Sequence, residues 1–166
     1  MKEIFQQYAA YNMWANNRIT ERIKQLSDEQ VNQHIESSFP SLYKTVWHMW
    51  RAEDIWWQRF KLSEKIIPVA DNFTGSFAEM CRHFAKQSAQ WKEWVDAATD
   101  NQLTHVFSFV REKEEYKIKV TDMLLHLFNH ATFHRGQLIT QLRQLGITDK
   151  IPAADFALYV WGKTKW

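Results

Sequence analysis

Between Val120 and Gly146 the apolar residues recur at helical intervals. At about 100° per residue, Val120, Leu124, Leu127, Ala131, Leu138, Leu142 and Leu145 fall on one face. A helix with such a stripe needs other elements to cover it. Breakers are scarce elsewhere too: the 166 residues hold four Gly and three Pro, so turns are few and elements long. Residues 2–26 repeat Phe5, Tyr8, Ala9, Met13, Ile19, Ile23 and Leu26 with helical spacing. A second helix is expected from Ser41 to about Leu62, and a third from Ser76 to about Ala98. Four long helices with short or medium connections predict an all-α fold, a four-helix bundle formed by residues 1–166 as a single domain.

The punctuation agrees. Ser27 with Gln30, and Ser76 with Glu79, have the spacing of capping boxes. Residues 37–40 and 63–75 read as loops. Val106–Val110 and Tyr116–Val120 alternate around the charged run 111–115, which suggests a small hairpin whose turn lacks Gly or Asn. Thr121 is placed to cap the last long helix, expected over 122–145, and Gly146 to stop it. A short aromatic helix is expected within 153–162.

Composition narrows the function. The formal charge is +2 with no basic run, so no electrostatic footprint for nucleic acid is present. One cysteine, Cys81, excludes an internal disulfide, and its mid-helix position suggests a buried, inert thiol. The N-terminal stretch is too polar for a secretory signal, and no stretch is apolar enough to span a membrane. A soluble cytoplasmic protein is expected. The nine Trp and eleven Phe are read as core and interface rather than pocket.

The histidines of the last long helix carry the chemistry. His126, His130 and His134 recur every four residues, about one turn or ~6 Å apart. Two such imidazoles can grip one metal ion from a single helix; from His126 to His134 the axis rises about 12 Å, too far for all three. His134 falls within the apolar stripe, His130 on its border and His126 further out. An inward imidazole needs a partner, and for an i, i+4 pair a metal is favoured over a merely structural role. His130 and His134 are therefore the chosen pair. On the second helix, Tyr43, Trp47, Trp50, Asp54 and Trp57 form one stripe, and Thr45, His48, Ala52 and Ile55 another. His48 is the best third ligand, because a second long helix can stand opposite the pair. His34, His83 and His105 lack such support. Asn12 and Asn16 sit one turn apart; they could orient a ligand, though surface polarity is the favoured reading. Gly136, on the opposite side of the last helix, either admits a close helix from this chain or a second copy, or is merely tolerated.

The sequence resembles the DinB-like family of bacterial proteins over nearly its whole length. The resemblance rests on Tyr11–Arg18, on Ser41–His48 followed by Ala52–Trp56, on Asp155 with Phe156, and above all on His126–Gln137. It implies a four-helix bundle, commonly a homodimer, and a divalent metal, zinc or nickel in type, on His48, His130 and His134. It also implies, for some relatives, S-transfer with an external low-molecular-weight thiol such as bacillithiol, mycothiol or glutathione. Three imidazoles leave positions open for water or substrate, as in catalytic rather than structural sites. A metal-dependent thiol S-transferase acting on a small-molecule substrate is the leading expectation. A metal-dependent hydrolase and a non-enzymatic metal-binding stress-response dimer are the alternatives. His126, one turn from His130, is the candidate to hold a ligand's tautomer or pass a proton; Asn12, Asn16 and Asp54 are weaker candidates.

Overall fold

The computed structural model describes residues 1–162. The helices are α1 (Lys2–Ile23), α2 (Asp28–Asn32), α3 (Leu42–Phe60), α4 (Phe77–Ala97), α5 (Asp100–Thr104), α6 (Val120–Gln144) and α7 (Phe156–Val160). A single turn of 3-10 helix spans Val69–Asn72, and strands β1 (Val106–Arg111) and β2 (Glu114–Lys119) form an antiparallel hairpin. The long helices α1, α3, α4 and α6 make the four-helix bundle.

Their arrangement is not a simple up-and-down ring. α1 packs on α4 and α6, and α3 packs on the same two. Consecutive long helices are therefore neighbours only at α3 and α4. Direction follows from the pairs that touch. Trp50 meets His83, Trp57 meets Trp91 and Phe60 meets Trp94, so α3 and α4 run the same way. Tyr8 meets Phe128, and Asn12 and Asn16 meet Arg135, so α1 and α6 are parallel too. A parallel pair cannot be joined by a tight turn. Residues 61–76 must run back along α3, which at 19 residues spans about 28 Å. Asp54 holds this return in place by accepting from the Val69 N–H (2.7 Å) and from Gln58 Nε2 (3.0 Å). It is a fastener of the loop and takes no part in the histidine cluster.

The buried apolar residues divide into two clusters. One gathers Ile19, Met49, Phe84 and Leu138 with their neighbours; the other gathers Phe5, Trp91, Leu124 and Phe128 with theirs. Between them lies a polar layer drawn from all four long helices. Glu53 Oε1 accepts from Asn12 Nδ2 (3.0 Å) and Asn16 Nδ2 (3.2 Å), and its Oε2 accepts from Ser88 Oγ (2.8 Å). Arg135 Nη1 donates to the side-chain oxygens of Asn12 (2.8 Å) and Asn16 (2.7 Å), and Nη2 donates to Thr132 Oγ1 (2.7 Å). The two amides thus link a carboxyl group to a guanidinium that it does not touch. Asn12 and Asn16 are each only 1 % exposed, which corrects the expectation that they face solvent. Their partners come from distant segments that spacing along α1 does not reveal.

Local signals explain most boundaries. Ser27 with Gln30 and Ser76 with Glu79 form the expected capping boxes, and Thr99 with Gln102 forms a third, opening α5. Ser41 caps α3 by accepting from the Lys44 N–H. The hairpin turn uses Glu112 (φ 53°) and Lys113 (φ 72°), left-handed positions that Asn and Gly usually fill. Thr121 does not cap α6. Strand β2 runs directly into the helix, Lys119 is the extended N-cap residue, and the Val120 N–H is taken by the His105 carbonyl. Gly146 (φ +76°) ends α6, its N–H on the Arg143 carbonyl and that of Ile147 on the Leu142 carbonyl. A Cβ built on Gly136 meets nothing within 4 Å, so no helix of the described chain approaches closely there. No helix of the described residues is long and apolar enough to cross a membrane.

Candidate metal centre

α3 and α6 pack with opposite directions, which brings His48 opposite the i, i+4 pair of α6. The three rings converge through one nitrogen each. His130 Nε2 lies 3.1 Å from His48 Nε2 and 3.0 Å from His134 Nε2. Among the described residues this is the group of three whose donor atoms all fall close enough to hold one ion. His134 is buried, and His48 and His130 are half-buried, so the cluster sits at the edge of the bundle.

Protonation chemistry says what this convergence lacks. An imidazole nitrogen has a single in-plane position, filled either by a proton or by a lone pair. His130 Nε2 faces two nitrogens at once, and one proton cannot bridge to both. His134 has no proton to offer on that side: its Nδ1 is 2.7 Å from Gln137 Oε1, an oxygen that can only accept. Nδ1 therefore carries the N–H, and the lone pair of Nε2 points into the cluster. An electrophile satisfies all three nitrogens where a proton cannot. For M–N bonds of 2.0–2.1 Å, ligand nitrogens stand about 2.9–3.4 Å apart, from octahedral to tetrahedral angles. Both spacings to His130 fall in that range, and all three donor atoms lie within 4.8 Å of one another, so the donor set fits a divalent ion.

Electrostatics keeps the rings uncharged. Burial, then His134 and Arg51, push the His48 pKa down to about 4. Burial, then His134, His48 and His126, push that of His130 to about 3. Burial lowers His134 as well, against the opposing bond to Gln137. All three are neutral near pH 7, the form that ligates.

Aromatic rings hold the cluster in place. Phe39, in the loop before α3, stacks on His48 with centroids 4.0 Å apart and meets His134 edge-on at 5.5 Å. Phe133, 64 % exposed, lies 5.1 Å from His134. One turn back along α6 lies His126, its ring 5.9 Å from that of His130 and 5.1 Å from Trp56. No hydrogen bond joins His126 to a member of the cluster, so it is a neighbour rather than an orienting partner. That part falls to Gln137, which sequence reasoning passed over; its position three residues after His134, on the same helix face, is the signal that could have found it. His34 is exposed beside Glu36 (3.3 Å), His83 stacks on Trp50, and His105 gives its carbonyl to α6. None of these approaches the cluster.

The DinB family model matches residues 1–165. The chain is 27 % identical over 165 residues to the protein DinB of Bacillus subtilis, covering 91 % of this chain and 90 % of that protein. Among solved structures, a DinB-like protein of Bacillus cereus superposes with a TM-score of 0.72 at 23 % identity, covering 91 % of this chain and 95 % of the other. YfiT of Bacillus subtilis, described as a probable metal-dependent hydrolase with an unusual four-helix bundle topology, superposes at 0.69 and 17 % identity, covering 88 % and 90 %.

Proposed function

The chain belongs to the DinB family, and we propose that it is a divalent-metal enzyme that activates a small nucleophile, a thiol before water. The observation that carries this is the convergence of three imidazole Nε2 atoms, those of His48 and His134 lying 3.1 Å and 3.0 Å from that of His130, with the tautomer of His134 set by Gln137. His48, His130 and His134 would hold the ion, zinc or nickel in type. An ion bound there lowers the pKa of a thiol or water in its open position and gives a nucleophile at neutral pH.

The residues around the cluster favour a thiol. Three neutral imidazoles leave the full charge of the ion uncompensated, and a thiolate balances part of it. A water nucleophile is better served by a carboxylate base. Asp54 is committed to Val69 and Gln58, and Glu53 is sealed in the polar layer. His126, whose pKa is lowered by burial and then by Arg59, is a neutral acceptor for a proton released beside the cluster. The nucleophile comes from outside, because burial pushes the Cys81 thiol up to about 12. Hydrolysis is the second reading, prompted by the fold likeness to YfiT. The reading includes a homodimer that uses the exposed side of α6 around Leu125, Phe133 and Gly136.

Elemental analysis of protein purified without a nickel column, beside His134→Ala, tests the site. About one divalent ion per chain, lost in the variant, is expected; no metal in either protein refutes it. Loaded protein is then assayed with low-molecular-weight thiols against alkyl and epoxide electrophiles, and with ester and amide substrates. Turnover of the second set alone replaces transfer by hydrolysis. Sedimentation of wild type beside Phe133→Glu tests the dimer.

A further inference from the structure

The row of rings along α3 and α6 continues past the histidine cluster to a second chemically distinct point. From His130 the rings lead to His126 and on to Trp56. Trp56 meets Phe109 of β1 nearly edge-on, with centroids 5.3 Å apart and planes at 74°. The guanidinium of Arg59 sits in the corner these rings make, its Cζ 4.9 Å from each centroid. Among the described residues the side chain of Arg59 makes no hydrogen bond and no ion pair, and its Nε is buried without a partner. Its cationic neighbours are committed: Arg51 is paired with Asp71 and Arg111 with Glu112. Both add positive potential at Arg59, whose pKa is lowered by burial first and by Arg111 and Arg51 next.

A half-buried arginine without a counter-ion is costly unless something pairs with it. The two rings fix the guanidinium plane, so little freedom is lost when its fork meets a planar anion. We propose that Arg59 is the anion-binding residue of the substrate site, holding a carboxylate group of a small molecule whose nucleophilic or electrophilic end lies at the histidine cluster. A single fork with one positive charge matches a monoanionic carboxylate in charge and shape. Trp56, Phe109 and His126 supply the apolar wall along which the body of that molecule lies. The proposal rests on the metal reading above and adds to it the charge and extended shape of the ligand.

The test uses the full chain loaded with cobalt(II), whose thiolate charge-transfer band reports a thiol at the ion. It is titrated with 3-mercaptopropionate and 3-mercaptopropan-1-ol, and with the longer pair 6-mercaptohexanoate and 6-mercaptohexan-1-ol. One of the two acids is expected to bind about tenfold more tightly than its alcohol, which is ~1.4 kcal/mol. Arg59→Gln is expected to remove that preference while the cobalt spectrum stays intact, and Arg59→Lys to keep part of it. Arg18→Gln serves as control. That arginine also stacks on a tryptophan, Trp14 at 5.0 Å, with its Nε buried and unpaired, but it stands on α1, away from this row of rings. An acid-to-alcohol ratio near one in wild type, or one unchanged in Arg59→Gln, overturns the assignment while leaving the metal site standing. Failure to bind cobalt, or cobalt without a thiolate band, overturns the metal-thiol reading and the subsite together.

Discussion

His134 and Arg135 are neighbours in sequence, yet they enter opposite kinds of polar cluster. Arg135 turns toward α1 and joins a layer in which Glu53, Asn12, Asn16, Ser88 and Thr132 answer one another's hydrogen bonds within the protein. His134 turns toward α3 and points a lone pair at His130, which faces His48 as well, so no placement of protons satisfies all three nitrogens. The first cluster is chemically complete and spans the bundle between its two apolar cores. The second is incomplete and sits at the edge. Burial with every partner present makes structure; convergence with a partner missing makes a site.

The sharpest way to break the contrast is to remove one member of the closed layer. Arg135→Leu strands the side-chain oxygens of Asn12 and Asn16 and leaves Glu53 without its cation. A loss of about 3–5 kcal/mol in urea unfolding is expected. The second test is pH. Glu53 is 2 % exposed, and its carboxyl pKa is raised from 4.5 to about 7, by burial first and against the bonds from Ser88, Asn12 and Asn16. Because the folded value is the higher one, the stabilising contribution is full below pH 4.5 and is lost as pH rises through 7. A fall of about 3 kcal/mol is expected from this group. Glu53→Gln should flatten that fall in unfolding curves recorded from pH 4.5 to 8. The histidine cluster acts in the opposite sense: its lowered pKa values favour the fold above pH 6.5 and lose that contribution as pH falls toward 4.

The open cluster is sharpened by Gln137→Leu, which frees the tautomer of His134. Affinity for zinc, measured by competition with a chromophoric chelator, should weaken by about 10–100-fold. The smallest effect is expected next door to the largest. In metal-free protein His134→Leu should change stability by no more than about 1 kcal/mol. A loss as large as that of Arg135→Leu would show that the histidines are structural.

What was legible in the sequence was local. The 3.6-residue period gave the four long helices, and two capping boxes marked helix starts. The i, i+4 pair with His48 located the cluster, because ligands on facing helices announce themselves by type and phase. Pairings across helices were hidden. From sequence alone Asn12 reads as a solvent-facing amide, because Glu53 and Arg135 reach it from other helices. Thr121 had the residue type of a cap, but the hairpin delivers the chain to the helix already extended, so capping was not required of it. Gln137 was in plain view beside His134, and its role became visible only when the side-chain oxygen was placed on Nδ1. Gly136 opens onto space rather than onto a helix of this chain.

Cys81, sealed inside α4 with its thiol pushed up to about 12, leaves the folded protein chemically silent toward disulfides. Oxidised thiols in the surrounding solution find no sulfur on it to capture, so it forms neither mixed disulfides nor covalent pairs of chains. Its fold should therefore be indifferent to thiol–disulfide poise over a range that would disable a surface-cysteine protein.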